Sequence, residues 1–170
     1  MRRGLYTAGA ILLAVLLQVG LAPALSLGGV VPNFLLLVTV TLALVEGPNW
    51  GATAGFSAGL LFDLLGSGPI GPMALVLAVV GYVAGMLSAN MFAEGWLLPL
   101  SVLAIASVVT GMAYGLLITV FVGTGSFWQG FVSVVLPEAL YNVALGLLLY
   151  PVLARFLRRD RPMNTFRRLA

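Results

Sequence analysis

Between Gly4 and Ala154 the chain has no lysine, arginine or histidine, and only four acids, Glu46, Asp63, Glu94 and Glu138, interrupt it. A stretch of that length with so few charges does not make a water-soluble domain, because it has too little polar surface to face water. The whole chain is 61% hydrophobic and 8% charged over 170 residues, with a mean hydropathy of +1.13. The solvent it suits is lipid.

Apolar runs broken by Gly, Pro, Asn and Ser place helices at residues 5–22, 32–46, 50–65, 72–91, 96–122 and 129–157. A membrane-spanning helix takes roughly 20 residues, so six of them use most of the chain and leave short loops and a basic tail at 158–170. The expectation is one all-α integral membrane domain over 1–170, a compact bundle of about six transmembrane helices. The second and third runs are short, about 15 residues or 22 Å against a hydrocarbon core of about 30 Å. They either thin the bilayer, continue into their loops or are partly re-entrant.

All eight bases are arginines near the two ends: Arg2, Arg3, Arg155, Arg158, Arg159, Arg161, Arg167 and Arg168. Positive residues stay on the cytoplasmic side, so both termini are expected there and the number of crossings is even. The arginine tail reads as an orientation signal in contact with lipid phosphates, with no nucleic-acid partner. Arg2 and Arg3, an apolar run and Ala22-Pro23-Ala24 have the layout of a secretory signal, but Leu5 to Ala22 is too long, so a retained first helix is expected. On this topology residues 25–31, 66–71 and 123–128 face outward and 47–49 and 92–95 face the cytoplasm. None of these loops holds a folded domain. Trp50, Trp96 and Trp128 fall at span ends, as interfacial anchors do. Glu46 and Glu94 lie at cytoplasmic ends, within reach of ordinary salt bridges to the terminal arginines.

The chain also lacks cysteine. Thiolate and imidazole metal sites, Schiff bases and nucleophile-base triads have none of their usual parts. No metal or cofactor is expected, and the chain is not expected to be an enzyme. An intramembrane carboxylate mechanism would need Asp63 and Glu138 to meet at one reacting atom.

Helices in lipid associate through close backbone approach and interhelical hydrogen bonds, which favours small residues four apart. Gly51, Gly55 and Gly59 form a doubled GxxxG reinforced by Ala54 and Ala58, and Gly81 with Gly85 and Gly111 with Gly115 repeat the spacing. Packing within the chain is the expected use. Four residues further along the first ridge comes Asp63, whose carboxylate should point into the bundle or a partner. An acid at the bilayer centre is costly, so Asp63 is expected near the outer interface or held by the Gly66-Ser67-Gly68 turn, with a helix-end role as the structural alternative. In the sixth run Pro137 should kink the helix near Ser133. Glu138, Tyr141, Asn142 and Gly146 form a polar stripe there. Ser107, Thr110, Gly111, Tyr114 and Gly115 form a matching one in the fifth run. Such stripes line a cavity or hydrogen-bond each other.

Several segments carry a family resemblance. They are Pro-Asn-Phe-Leu-Leu-Leu at Pro32 to Leu37, Gly-Ala-Thr-Ala-Gly-Phe-Ser-Ala-Gly-Leu-Leu-Phe-Asp-Leu-Leu at Gly51 to Leu65, and the Gly66 to Gly71 loop with Pro69. Gly81-Tyr82-Val83-Ala84-Gly85 and the Pro137 to Asn142 segment before a basic tail complete the set. In that order they resemble the rod shape-determining protein MreD family of the bacterial inner membrane. The resemblance implies a non-catalytic scaffold that binds MreC and helps couple MreB filaments to peptidoglycan synthesis by RodA and a class B penicillin-binding protein. It makes Asp63, Gly51, Gly55, Gly59, Pro69, Pro137, Glu138, Tyr141 and Asn142 candidates for stabilising the fold or docking MreC. The family is also similar to the six-helix substrate-binding components of energy-coupling vitamin transporters. That likeness supplies the alternative, a solute-binding component whose polar stripes line a cavity open to the outside.

Overall fold

The computed structural model describes residues 2–90, 97–122 and 130–158. Trp96, Trp128, Glu94, the loops expected at 92–95 and 123–128 and the tail from residue 159 lie outside them. All the arginines expected to meet Glu46 and Glu94, except Arg155, also fall outside the described side chains.

The described residues form six α-helices, and the punctuating residues explain where each begins. The first, α1 (Arg2–Leu16), runs on through a wide π turn at Leu17–Leu21 and a tight 3₁₀ turn at Ala22–Leu25. Leu27 and Val30 then exchange two backbone hydrogen bonds of 3.0 Å around Gly28 and Gly29. Both glycines have positive φ, 61° and 87°, as the tightest two-residue hairpin turn requires. Asn33 caps α2 (Phe34–Glu46) by accepting the Leu36 N–H at 3.0 Å. At the far end Gly47, with φ 96°, stops that helix, and Pro48, which has no N–H to lose, starts α3 (Pro48–Leu65) at once. Gly71 and Pro72 open α4 (Pro72–Asn90) in the same way. After α5 (Leu97–Val122), a π turn at Phe131–Val135 leads into α6 (Leu136–Arg158). Pro137 therefore sits just beyond a π turn that includes Ser133, where a kink was expected.

The hub of the bundle is α2. Eleven of its thirteen residues are buried, and it touches each of the other five helices. It is short, about 20 Å at 1.5 Å per residue, and the other helices enclose it on all sides. The outer helices turn large apolar side chains outward instead, among them Leu12, Leu75, Ile105, Val120, Leu140 and Leu148. A membrane protein's surface has that character. Three helical stretches, Gly4–Leu25, Leu97–Phe121 and Phe131–Leu157, are long and apolar enough to cross a membrane, and Phe34–Glu46 and Pro72–Ser88 are shorter apolar helices. The Tyr6 and Phe156 rings meet edge to face at 5.7 Å, which puts the start of α1 and the end of α6 at the same end of the bundle.

Candidate functional site

The glycine ridge of α3 lies directly against α4, and the two helices run antiparallel in close backbone contact. A methyl group added to Gly55 would strike the Leu77 carbonyl, and one on Gly51 would strike the Gly81 carbonyl and Ala43. At Gly59 it would lie 2.6 Å from the Ala74 Cα, and at Gly85 it would meet Pro48. These glycines serve contact within the chain.

One step further along the ridge, Asp63 is buried, with 5% of its surface exposed. Its Oδ2 accepts the backbone N–H groups of Gly71 at 2.9 Å, Met73 at 3.1 Å and Ala74 at 3.2 Å. Pro72 between them has none to give. The expected contact with the Gly66-Ser67-Gly68 turn is thus replaced by a contact with the start of the next helix. The physical reason is register: the ridge that seats Gly59 on Ala74 carries Asp63 to the residues just before it. A carboxylate there satisfies orphan donors and meets the positive end of the α4 dipole. Pro69 lies in the short connection that turns the chain back, half-buried.

A second polar assembly holds the start of α2. Gln18, in the π turn after α1, donates to the Pro32 carbonyl at 3.2 Å and accepts the Phe34 N–H at 2.7 Å. From α6, Asn142 accepts the Asn33 N–H at 2.8 Å and donates to the Ser107 hydroxyl of α5 at 3.2 Å. Tyr141 donates to the Leu25 carbonyl at 2.8 Å. The Asn33 amide in turn reaches Glu138 Oε1 at 3.4 Å. The α6 stripe therefore grips the connection between α1 and α2, more than a hundred residues away in sequence. Of the two expected uses of the stripes, Asn142 and Ser107 show the direct hydrogen bond.

Glu138 from one stripe and Thr110, Gly111, Tyr114 and Gly115 from the other line a cavity of about 450 Å³ between the N-terminal end of α2, α5 and the start of α6, while Gly146 packs on Leu103 instead. Gln18, Asn33, Thr110, Tyr114, Thr119 and Glu138 are its polar lining, and Phe62, Met73, Met112, Phe131 and Val134 are apolar walls. It lies at the end of the bundle away from Tyr6 and Phe156, and both π turns border it. Thr110 is 2% exposed, and its hydroxyl has no hydrogen-bond partner. Asp63 and Glu138 are held by different elements, the first by α4 and the second by Asn33. Among the described residues no three acids, histidines or cysteines gather where a metal ion would sit.

Gln18 and Asn33 were not singled out as site residues by sequence reasoning. Gln18 had a signal, as the one amide in the first apolar run. Asn33 had another, as a capping residue type just before the second.

A family model for rod shape-determining protein MreD matches residues 3–160. No curated protein and no solved structure matches the chain. The motifs that carried the resemblance are those that build the bundle: Pro32 to Leu37 opens its central helix, and Gly51 to Gly71 forms the α3–α4 seam with its Asp63 cap. Matched over nearly its whole length, this chain belongs to the rod shape-determining protein MreD family, and its role is in determining cell shape.

Proposed function

We propose that the protein is a non-catalytic scaffold of the bacterial cell-elongation complex. It binds MreC and, through it or directly, helps couple MreB filaments to RodA and a class B penicillin-binding protein. The observation that carries this reading is how the polar groups are spent: Asp63, Asn33, Asn142, Gln18 and Tyr141 all hold helix ends and connections in place. On this reading Gly51, Gly55, Gly59, Asp63 and Pro69 keep α3 and α4 together, while Pro137, Glu138, Tyr141 and Asn142 shape the cavity where MreC docks.

The protein lies in the inner membrane as a multi-pass chain with both termini cytoplasmic. Two features support that topology: arginines occur only near the two ends, and those ends share one face of the bundle through Tyr6 and Phe156. The cavity then faces outward, toward the compartment where peptidoglycan is built.

The cavity supports one further reading, because its volume falls in the roughly 300–1,000 Å³ range of small-molecule sites. In that reading the chain is a solute-binding component of a vitamin-type transporter. Mild-detergent purification of the tagged chain from its native membrane separates the two. Near-stoichiometric MreC supports the scaffold; an ATPase pair with a coupling subunit, and thermal stabilisation by a solute instead of by MreC, overturns it.

A further inference from the structure

The two acids inside the bundle are matched very differently. Asp63 has three backbone donors on one oxygen and the start of a helix in front of it. Glu138 has only side-chain amides, Asn33 at 3.4 Å and Asn142 beside it, and though it stands in the first turn of α6, helical backbone runs back from it through the π turn to Gly130. Those preceding helical turns take up the N–H groups ahead of it, so α6 offers Glu138 no free helix terminus and its dipole does little there.

Among the described residues no base takes up the charge. Residues 4–154 contain none. Arg155 is on the same helix about 26 Å further along at 1.5 Å per residue, toward the opposite end of the bundle. A metal ion fits poorly, since hard cations gather six or more oxygens and a single carboxylate borders this cavity. The walls around it are largely apolar, with Met112 and Val134 exposed at its rim. Apolar walls ending in one carboxylate suit a cation on a hydrocarbon stem.

Resting on the scaffold reading, we infer that Glu138 receives a lysine or arginine side chain of the docked partner, carried into the cavity on an apolar segment. Charge complementarity selects this occupant: the described residues supply the anion and the greasy channel but no cation. A guest without a base would leave the carboxylate enclosed and unpaired, which is the costly arrangement. Glu138 thus sets which segment is accepted, while the apolar walls supply contact area.

The test uses the full chain in lipid nanodiscs and full-length MreC from the same bacterium. Glu138→Gln keeps the side chain's shape and its contact with Asn33, and it is expected to weaken MreC binding at least about tenfold while thermal stability stays at the wild-type value. Glu138→Arg should abolish binding. Changing the membrane-proximal lysines and arginines of MreC to glutamate, one at a time, should restore it at one position. That rescue decides the matter even if Glu138→Gln disturbs the fold. Wild-type affinity in Glu138→Gln, or the absence of any rescuing position, overturns the inference and leaves the scaffold reading standing. Failure of the wild-type chain to bind MreC overturns both. Stabilisation by a free polyamine such as spermidine, lost in Glu138→Gln with MreC binding unchanged, assigns the site to a small solute and also overturns it.

Discussion

Replacing Asp63 by alanine removes the acceptor shared by three N–H groups at the start of α4, and the environment gives those groups nowhere else to go. Two of them, on Met73 and Ala74, are in buried hydrogen bonds, while that of Gly71 is partly open. A buried donor left unsatisfied costs about 1–3 kcal/mol, and an exposed cap costs typically ~1 kcal/mol. The sum for two buried donors and one partly open one is about 3–7 kcal/mol. Asparagine is the informative comparison, because its amide oxygen can occupy the same position without the charge. Charge-assisted bonds are roughly twice as strong as neutral ones, so Asp63→Asn should cost about half as much, ~1.5–3.5 kcal/mol. The assay is reversible unfolding in mixed micelles of increasing denaturing-detergent fraction, with amide hydrogen exchange followed at Met73 and Ala74. Protection should fall at those two amides first. An alanine variant within about 0.5 kcal/mol of wild type, the ordinary spread of surface substitutions, would refute the cap. So would asparagine proving as costly as alanine, since the negative charge would then have a task other than capping.

Gly55→Leu should destabilise the bundle by about 3 kcal/mol or more in the same unfolding assay, because its Cβ lands on the Leu77 carbonyl and neither backbone can retreat. Gly115→Leu is the converse: nothing lies within 4 Å of a Cβ there, so stability should hold or rise by up to ~1 kcal/mol from helix propensity. The cavity shrinks, however, and copurification of MreC should fall. Asn142→Leu should cost about 2–4 kcal/mol, since the buried Asn33 N–H and Ser107 hydroxyl both lose their partner. Tyr141→Phe loses only its bond to the Leu25 carbonyl and should cost about 0.5–1.5 kcal/mol.

What could be read from the sequence was whatever depended on a single helix. Gly51, Gly55, Gly59 and Asp63 share a face by spacing alone, so a tight seam ending in an inward acid was legible before any partner was known. The donors to Asp63 were not legible. They lie on the following helix, and finding them requires the antiparallel register of α3 on α4, which a ridge on one helix does not contain. The Gln18, Asn33 and Asn142 clamp was hidden for the same reason. It joins residues 18, 33 and 142, whose meeting depends on α6 folding back beside the α1–α2 connection. The central place of α2 left only a faint trace, a short run apolar on all sides, which fits a short span as well as a helix enclosed by protein.

The GxxxG spacing shows most sharply where local pattern stops being informative. On α3 it brings two backbones together until no methyl fits between them, and the seam's polar end is closed by Asp63. On α5 the same spacing does the reverse: Gly111 meets only the Val135 side chain and Gly115 meets nothing, and both line the cavity. Small residues permit close approach without compelling it. What decides is whether the facing helix also offers small residues, as α4 does with Ala74, Gly81 and Gly85, or large ones, as the Phe131–Val135 turn does. The Val135 side chain props that turn on Gly111, while Asn142 and Ser107 tie α6 to α5 further along. The cavity is the wedge between that prop and that tie, which explains why it opens at the end of the bundle where the π turns lie.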